Sequence, residues 1–225
     1  MRKEADRAQR MREEARACFD RWAEMYDRCF LHRYIRKVQE RIAREMNPAE
    51  DAFILDAGCG TGEGLFALSQ RVKRGLLAGL DISFRVIEVA QRKLSGYPSL
   101  DLWVRDAETL PWPDSFFDEV MCTFAFHHFP HPDRALAEMA RVLKPAGRLF
   151  LADLILPQPF RRPLNWILQL AEGTELEVQT LDFLKELFLD TPLDPASPRR
   201  LAPLAFLLVG EKRSSAAKEE GTRIT

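Results

Sequence analysis

Cysteine is scarce in this chain, and what there is carries no metal or redox spacing. The four residues, Cys18, Cys29, Cys59 and Cys122, form no C-x-x-C pair. Reduced thiols are the simplest reading, with Cys59 and Cys122 filling small apolar positions. Long apolar runs are missing too. Nothing approaches the ~20 residues that cross a bilayer, and residues 1–16 alternate acid and base where a signal peptide would need an apolar core. A soluble, cytoplasmic protein without an integral membrane segment is expected. Excess charge is absent: 33 basic and 34 acidic residues leave a net charge of −1, which disfavours bulk nucleic-acid binding. No internal repeat is found, and 225 residues suit one α/β domain with some decoration.

What is present begins with Phe53-Ile54-Leu55-Asp56-Ala57-Gly58-Cys59-Gly60-Thr61-Gly62. A short apolar run reads as a buried parallel strand, and glycine at every second position then breaks it. Without Cβ atoms at 58, 60 and 62, a ligand can lie directly against the turning backbone. The spacing departs from the dinucleotide fingerprint, because the third glycine would fall at Glu63 or Leu65. It also departs from the phosphate loop, because no Gly-Lys-Ser/Thr follows.

Further strands end in carboxylates. Leu76–Asp81 is the second, with Ser83 as a candidate helix N-cap. Leu102–Val104 leads into Arg105-Asp106-Ala107-Glu108. Turn-rich Leu110–Asp118 precedes a fourth strand over Glu119–Phe124. Arg141–Arg148 reads as a helix end and turn, where Pro145 stops the helix and Gly147 supplies flexibility. Between the strands, Leu65, Leu68 and Val72 mark one helix face, Phe84, Ile87 and Leu94 another, and Leu136, Met139, Ala140 and Leu143 a third. Alternating strand and helix argues a doubly wound parallel sheet, with ligands outside the carboxyl ends of the strands. Asp56, Asp81 and Asp106 all lie at such ends. Each alone could be a solvated strand end or a helix cap.

In order and spacing these motifs resemble the class I S-adenosylmethionine-dependent methyltransferases, over about residues 50–155, nearest the branch of ubiquinone/menaquinone-biosynthesis and small-molecule enzymes. The resemblance implies a Rossmann-like, seven-stranded mixed sheet whose last strand, Ala205–Val209 here, is antiparallel. The sixth strand would come from Asp194–Pro203, whose three prolines predict an irregular edge. It implies an N-terminal helical cap over residues 1–50, a cofactor domain over 51–213, and a polar, frayed tail over 214–225. It also implies S-adenosyl-L-methionine as cofactor, S-adenosyl-L-homocysteine as product, and a small-molecule methyl acceptor with an apolar or aromatic part. Cofactor contacts would come from Asp56, Gly58, Cys59, Gly60, Gly62, Asp81 (ribose hydroxyls), Ile82, Asp106 (adenine amino group), Ala107 and Thr123.

Trp22, Tyr26, Phe30 and Tyr34, four apart, form a stripe on one helix face. The plain reading is a docking face. The resemblance places Trp22 and Tyr26 over the cofactor, where an aromatic face favours a sulfonium. Pro163–Ala171 would complete a lid, with Arg161 and Arg162 beside it able to meet an anionic group. Thr180 would cap another helix through Leu189. Tyr26, His127 and His128 are the candidate catalytic groups, the histidines serving as base if the acceptor is a phenol or enol carbon, or only as structural hydrogen-bonding groups. A metal role for His127, His128 and His131 is disfavoured, since adjacent histidines on a strand point to opposite sides. Methyl transfer can rest on alignment alone, so a missing constellation does not argue against an enzyme. Two other functions stay open: a non-catalytic module binding the same cofactor or a nucleoside, and a nicotinamide-dependent oxidoreductase. Amino-group methylation of nucleic-acid bases is disfavoured, because Thr123-Phe124-Ala125-Phe126 stands where an Asn/Asp-Pro-Pro-aromatic run is required.

Overall fold

The structure is a computed structural model; it describes residues 2–26, 30–155, 162, 163, 165, 166, 169, 170 and 176–214. Two helices, α1 (Arg2–Tyr26) and α2 (Phe30–Met46), precede an alternating series. It runs β1 (Phe53–Ala57), α3 (Glu63–Ser69), β2 (Leu76–Asp81), α4 (Phe84–Lys93), β3 (Leu100–Val104), β4 (Phe117–Thr123), α5 (Pro132–Val142) and β5 (Leu143–Leu154). After these come α6 (Leu181–Leu189), β6 (Leu193–Pro195), β7 (Arg199–Ala202) and β8 (Ala205–Lys212).

The sheet order is β3-β2-β1-β4-β5-β8-β6, with β7 also on β8. Strands β1 to β5 are parallel and β8 is antiparallel to β5. The chain starts in the middle at β1, moves outward to β3, then returns to β4 on the other side. A crevice therefore opens at the carboxyl ends of β1 and β4. Among the described residues the expected seven strands become eight, because the sixth is broken. β6 pairs with Gly210–Lys212 and β7 with Ala205–Leu207, both antiparallel to β8. Pro195 and Pro198 lack the N–H that would continue the ladder between them, and only Ala196 N bridges the gap, donating to Val209 O at 2.8 Å.

Both sheet faces are buried, so strand residues sort by parity. Leu55, Ala78, Val120 and Leu151 join α5 residues Leu136 and Met139 on one side. Ile54, Leu77, Met121 and Phe150 meet α2, α3 and α4 on the other, through Ile42, Met46, Leu65, Leu68 and Ile87. Hence α2 is part of the main core. Leu65, Leu68 and Val72 are buried as expected; Phe84 is not, standing exposed at the start of α4. Ser83 caps α4 by accepting from Val86 N, and Thr180 caps α6 by accepting from Phe183 N.

Two further expectations change. α5 stops at Val142, before Pro145, and the left-handed residue of the turn is Ala146 (φ 62). Gly147 is required for close approach: a Cβ there would sit 2.8 Å from Lys144 O and 2.9 Å from Asp118 O. The aromatic stripe is shared between two helices, since α1 ends at Tyr26 and α2 begins at Phe30. Arg161, Leu164, Ile167, Leu168 and Ala171 of the expected lid segment, the side chain of Tyr26 and residues 215–225 lie outside the described residues.

Candidate functional site

The turn after β1 is built by backbone. Gly58 and Cys59 N–H both donate to Leu80 O at the tip of β2, at 3.0 and 2.9 Å. Gly58, Gly60 and Gly62 take φ of 80, 51 and 79°, a region that glycine enters without cost. Their surroundings differ. A Cβ on Gly58 would lie 2.4 Å from Ala125 Cβ, and one on Gly62 2.9 Å from Ala90 Cβ, whereas one on Gly60 meets nothing within 4 Å. Gly60 thus borders open space.

That space is a cavity along the strand tips. Gly58, Cys59, Gly60, Asp81, Ile82, Asp106, Ala107, Thr123 and His128 all line it. Asp81 is fixed twice, Oδ2 accepting from Gly60 N and Oδ1 from Ser83 N, each at 3.0 Å. Burial pushes its carboxyl up to about 6 against the opposing pull of these backbone bonds. Asp106 Oδ1 accepts from Glu108 N at 2.9 Å, and Oδ2 is engaged by Arg12 Nε from α1. Arg12 also bonds the buried Glu108 at 2.6 Å.

Asp56 does not reach the cavity wall. It is fully buried behind the glycine turn, its Oδ2 beneath Gly64. Neither carboxylate oxygen has a hydrogen-bond partner among the described residues. Burial, with Asp81 nearby, raises it to about 8. Gly62 likewise sits back from the cavity, as the left-handed N-cap of α3.

The α1 face differs from the expected one. Arg12, Ala15 and Phe19 line the cavity, while Trp22 is 42% exposed and lies off it. Phe19 contacts His128 edge to face at 5.1 Å between centroids. From α2, His32, Ile35 and Gln39 complete the wall. None of these side chains was legible as a site residue: α1's buried positions, Ala8, Met11, Ala15 and Cys18, are small and outweighed by the larger aromatics.

His127 and His128 occupy a 3-10 turn (Phe126–His128), where successive side chains no longer alternate. Their rings therefore lie side by side, 4.2 Å apart, which corrects the opposed arrangement expected of a strand. His128 lines the cavity, and burial followed by His127's proximity holds it well below the ordinary histidine range. It is neutral at pH 7 and a weak base. His127 turns away from the cavity onto buried Asp153, with Nδ1 2.6 Å from Oδ1, while its backbone N donates to Oδ2 at 3.0 Å. Burial also keeps Cys59 protonated, its thiol pushed well above the usual range. Among the described residues no three His, Cys, Asp or Glu side chains gather as metal ligands, and no helix is long and apolar enough to cross a membrane.

This arrangement suits an adenosine carrying a charged tail: a backbone turn open at Gly60, an acid at the second strand tip, and an orphaned buried acceptor on Gln39. Residues 55–151 match the methyltransferase domain family. Fold, loop and match agree with the resemblance to class I, S-adenosylmethionine-dependent methyltransferases, and they lend the nicotinamide reading no support. Several similar curated proteins are methyltransferases of ubiquinone and menaquinone biosynthesis. The chain is 34% identical over 157 residues to a demethylmenaquinone methyltransferase of Lactiplantibacillus plantarum, covering 65% of each chain. Among solved structures, the YcgJ protein of Bacillus subtilis superposes with a TM-score of 0.71 at 22% identity, over 80% of this chain and 99% of that one. Geranyl diphosphate C-methyltransferase of Streptomyces coelicolor, solved with S-adenosyl-L-homocysteine, gives 0.66 at 14% identity, over 78% and 76%. The chain spans about a third to two-thirds of the length of the curated relatives it matches.

Proposed function

We propose that the protein transfers a methyl group from S-adenosyl-L-methionine to a small molecule with an apolar or aromatic part. The observation that carries this is the turn at Gly58–Gly60, locked onto Asp81 and open to a cavity at the strand tips. In this reading Asp81 accepts from ribose hydroxyls, Asp106 and Ala107 recognise the base, and Ile82 and Thr123 flank the ligand. When bound, the cofactor supplies an electrophilic methyl group on a sulfonium. The chain's part is to align the acceptor and exclude water, a contribution of about 7–11 kcal/mol in well-oriented systems. Phe19 supplies an aromatic ring at the wall where Trp22 was expected. His128, neutral and depressed, can take a proton only from an acidic acceptor such as a phenol or enol. The names of curated relatives that act on demethylmenaquinone support an aromatic acceptor.

The reading carries a cytoplasmic setting, supported by the buried, unbridged thiols of Cys59 and Cys122. It carries no nucleic-acid partner, supported by the net charge of −1. It treats residues 1–50 as the cap over 51–213.

Calorimetry with S-adenosyl-L-homocysteine tests it. Two bonds to a charged acceptor contribute about 1.5–3 kcal/mol each, so Asp81→Ala is expected to weaken binding at least about 100-fold. Glu88→Ala, which removes only an exposed pair with Arg85, leaves it unchanged. Equal affinities in the two variants would remove the ribose assignment. Binding of reduced nicotinamide dinucleotide in place of S-adenosyl-L-homocysteine would remove the function.

A further inference from the structure

Helix α2 turns His32, Ile35 and Gln39 onto the cavity, at spacings of three and four. Gln39 is only 6% exposed. Its Nε2 donates to Thr123 Oγ1 at 2.8 Å, while Oε1 is buried with no hydrogen-bond partner among the described residues. Native structures leave few buried acceptors unpaired, because desolvation without a donor is costly. The orphan oxygen belongs to a cavity-lining residue, so a ligand is the natural source of its donor.

Strand order says which part of the ligand. Along the tips the sequence is β3, β2, β1, β4, which places Asp106, Asp81, Gly58–Gly60 and Thr123 in that order. A nucleoside with its base beside Asp106 and its ribose on Asp81 sends its 5′ substituent across the glycine turn toward Thr123 and Gln39. In S-adenosyl-L-methionine and its product that substituent ends in an amino acid, whose α-ammonium carries three N–H donors. Resting on the cofactor reading above, we propose that Gln39 Oε1 accepts from the α-ammonium of the cofactor, with Thr123 holding the amide in the orientation that presents oxygen. Gln39 is then a binding residue contributed by the helical cap, specific for the amino-acid end.

The test compares S-adenosyl-L-homocysteine with 5′-methylthioadenosine, which shares the adenosine and thioether but lacks the amino acid. Gln39→Leu is expected to weaken S-adenosyl-L-homocysteine at least about tenfold, equivalent to about 1.4 kcal/mol. Affinity for 5′-methylthioadenosine should stay within about twofold. An equal loss for both ligands would reduce Gln39 to a structural role, and no loss for either would also overturn the proposal. Gln39→Glu keeps the acceptor and removes the donor, so it should retain or tighten S-adenosyl-L-homocysteine binding. Loss in that variant would mean that the amide's donor, facing the ligand carboxylate, is the working group, which overturns the assignment. Wild-type protein that binds neither ligand would instead remove the cofactor reading itself.

Discussion

The two walls of the cavity are made of different materials. The wall formed by β1, β2 and the glycine turn is backbone: Gly58 and Cys59 bond Leu80 O, and Gly60 N bonds Asp81. The wall formed by α1 is held by side chains reaching across long sequence separations. Arg12 meets Asp106 and Glu108, Asp20 Oδ1 accepts from Ser83 Oγ at 2.6 Å, and Glu24 pairs with Arg92 at 2.5 Å. Backbone bonds from the turn to β2 are little affected by salt, whereas partly exposed ion pairs are weak and screened. A cavity with one fixed wall and one clasped wall can admit a ligand by moving only the second.

If the backbone wall is preformed, its glycines divide into those needed for folding and one needed for the ligand. Gly58→Ala places a methyl group 2.4 Å from Ala125 Cβ at a φ of 80°. Overpacking and left-handed strain together are expected to cost about 3 kcal/mol or more, roughly 6–12 °C in the thermal midpoint. Gly60→Ala has open space around the new methyl and should lose only about 1 kcal/mol of stability. Its S-adenosyl-L-homocysteine affinity should nevertheless fall at least about tenfold, because the methyl group takes ligand space. Thermal melts and calorimetry on the two variants check this, and equal destabilisation would break the distinction.

Asp56 lies behind the same wall and offers a pH test. Burial raises its folded carboxyl to about 8, against an unfolded value near 4. The folded protein therefore holds a proton that the unfolded chain has released between these values. The stability this group contributes is complete below about pH 4 and is lost as pH rises through about 8. Asp56→Asn removes that loss. It is expected to stabilise the protein by about 4 kcal/mol more at pH 8 than at pH 5, about 8–16 °C. Parallel melting profiles for wild type and variant would show that Asp56 stays ionised when folded.

The contrast between the walls also explains what was legible. The strand, its acid and the glycines of the turn all lie between Phe53 and Gly62, so they could be read in line, and Asp81 and Asp106 followed from the same repeat of strand and helix. The α1 wall depends on azimuth, which is set by the partner surface. Phe19 and Trp22 are three residues apart, yet one lines the cavity and the other is exposed. The histidines were read with strand alternation because Thr123-Phe124-Ala125 gives no sign of a 3-10 turn. Phe124 in fact turns the chain at a φ of 52°. Prolines 195 and 198 did announce a faulty edge strand, since a missing N–H is a local property. Gln39 and its bond to Thr123 span 84 positions and could not be read from either segment alone.

The smallest expected effect lies at the clasp. Arg12 is partly exposed, at 29% of its side chain, and bridges Asp106 and the buried Glu108. Arg12→Met keeps the apolar stem and removes both pairs, so α1 stays docked through Ala8, Met11, Ala15 and Cys18. Such pairs are worth about 1 kcal/mol or less when part-exposed. The rate of S-adenosyl-L-homocysteine release should then rise about fivefold, with equilibrium affinity changing less because Asp106 Oδ2 is freed for the ligand. Salt supplies the control. Between 50 and 500 mM the Debye length falls from about 14 to about 4 Å, so wild-type release should accelerate toward the variant's rate while the variant's rate stays flat. Stopped-flow tryptophan fluorescence can follow this, with Trp22 exposed on α1. Release that is equally fast in both proteins at low salt would mean that α1 does not gate the cavity, and that its wall is as fixed as the one opposite.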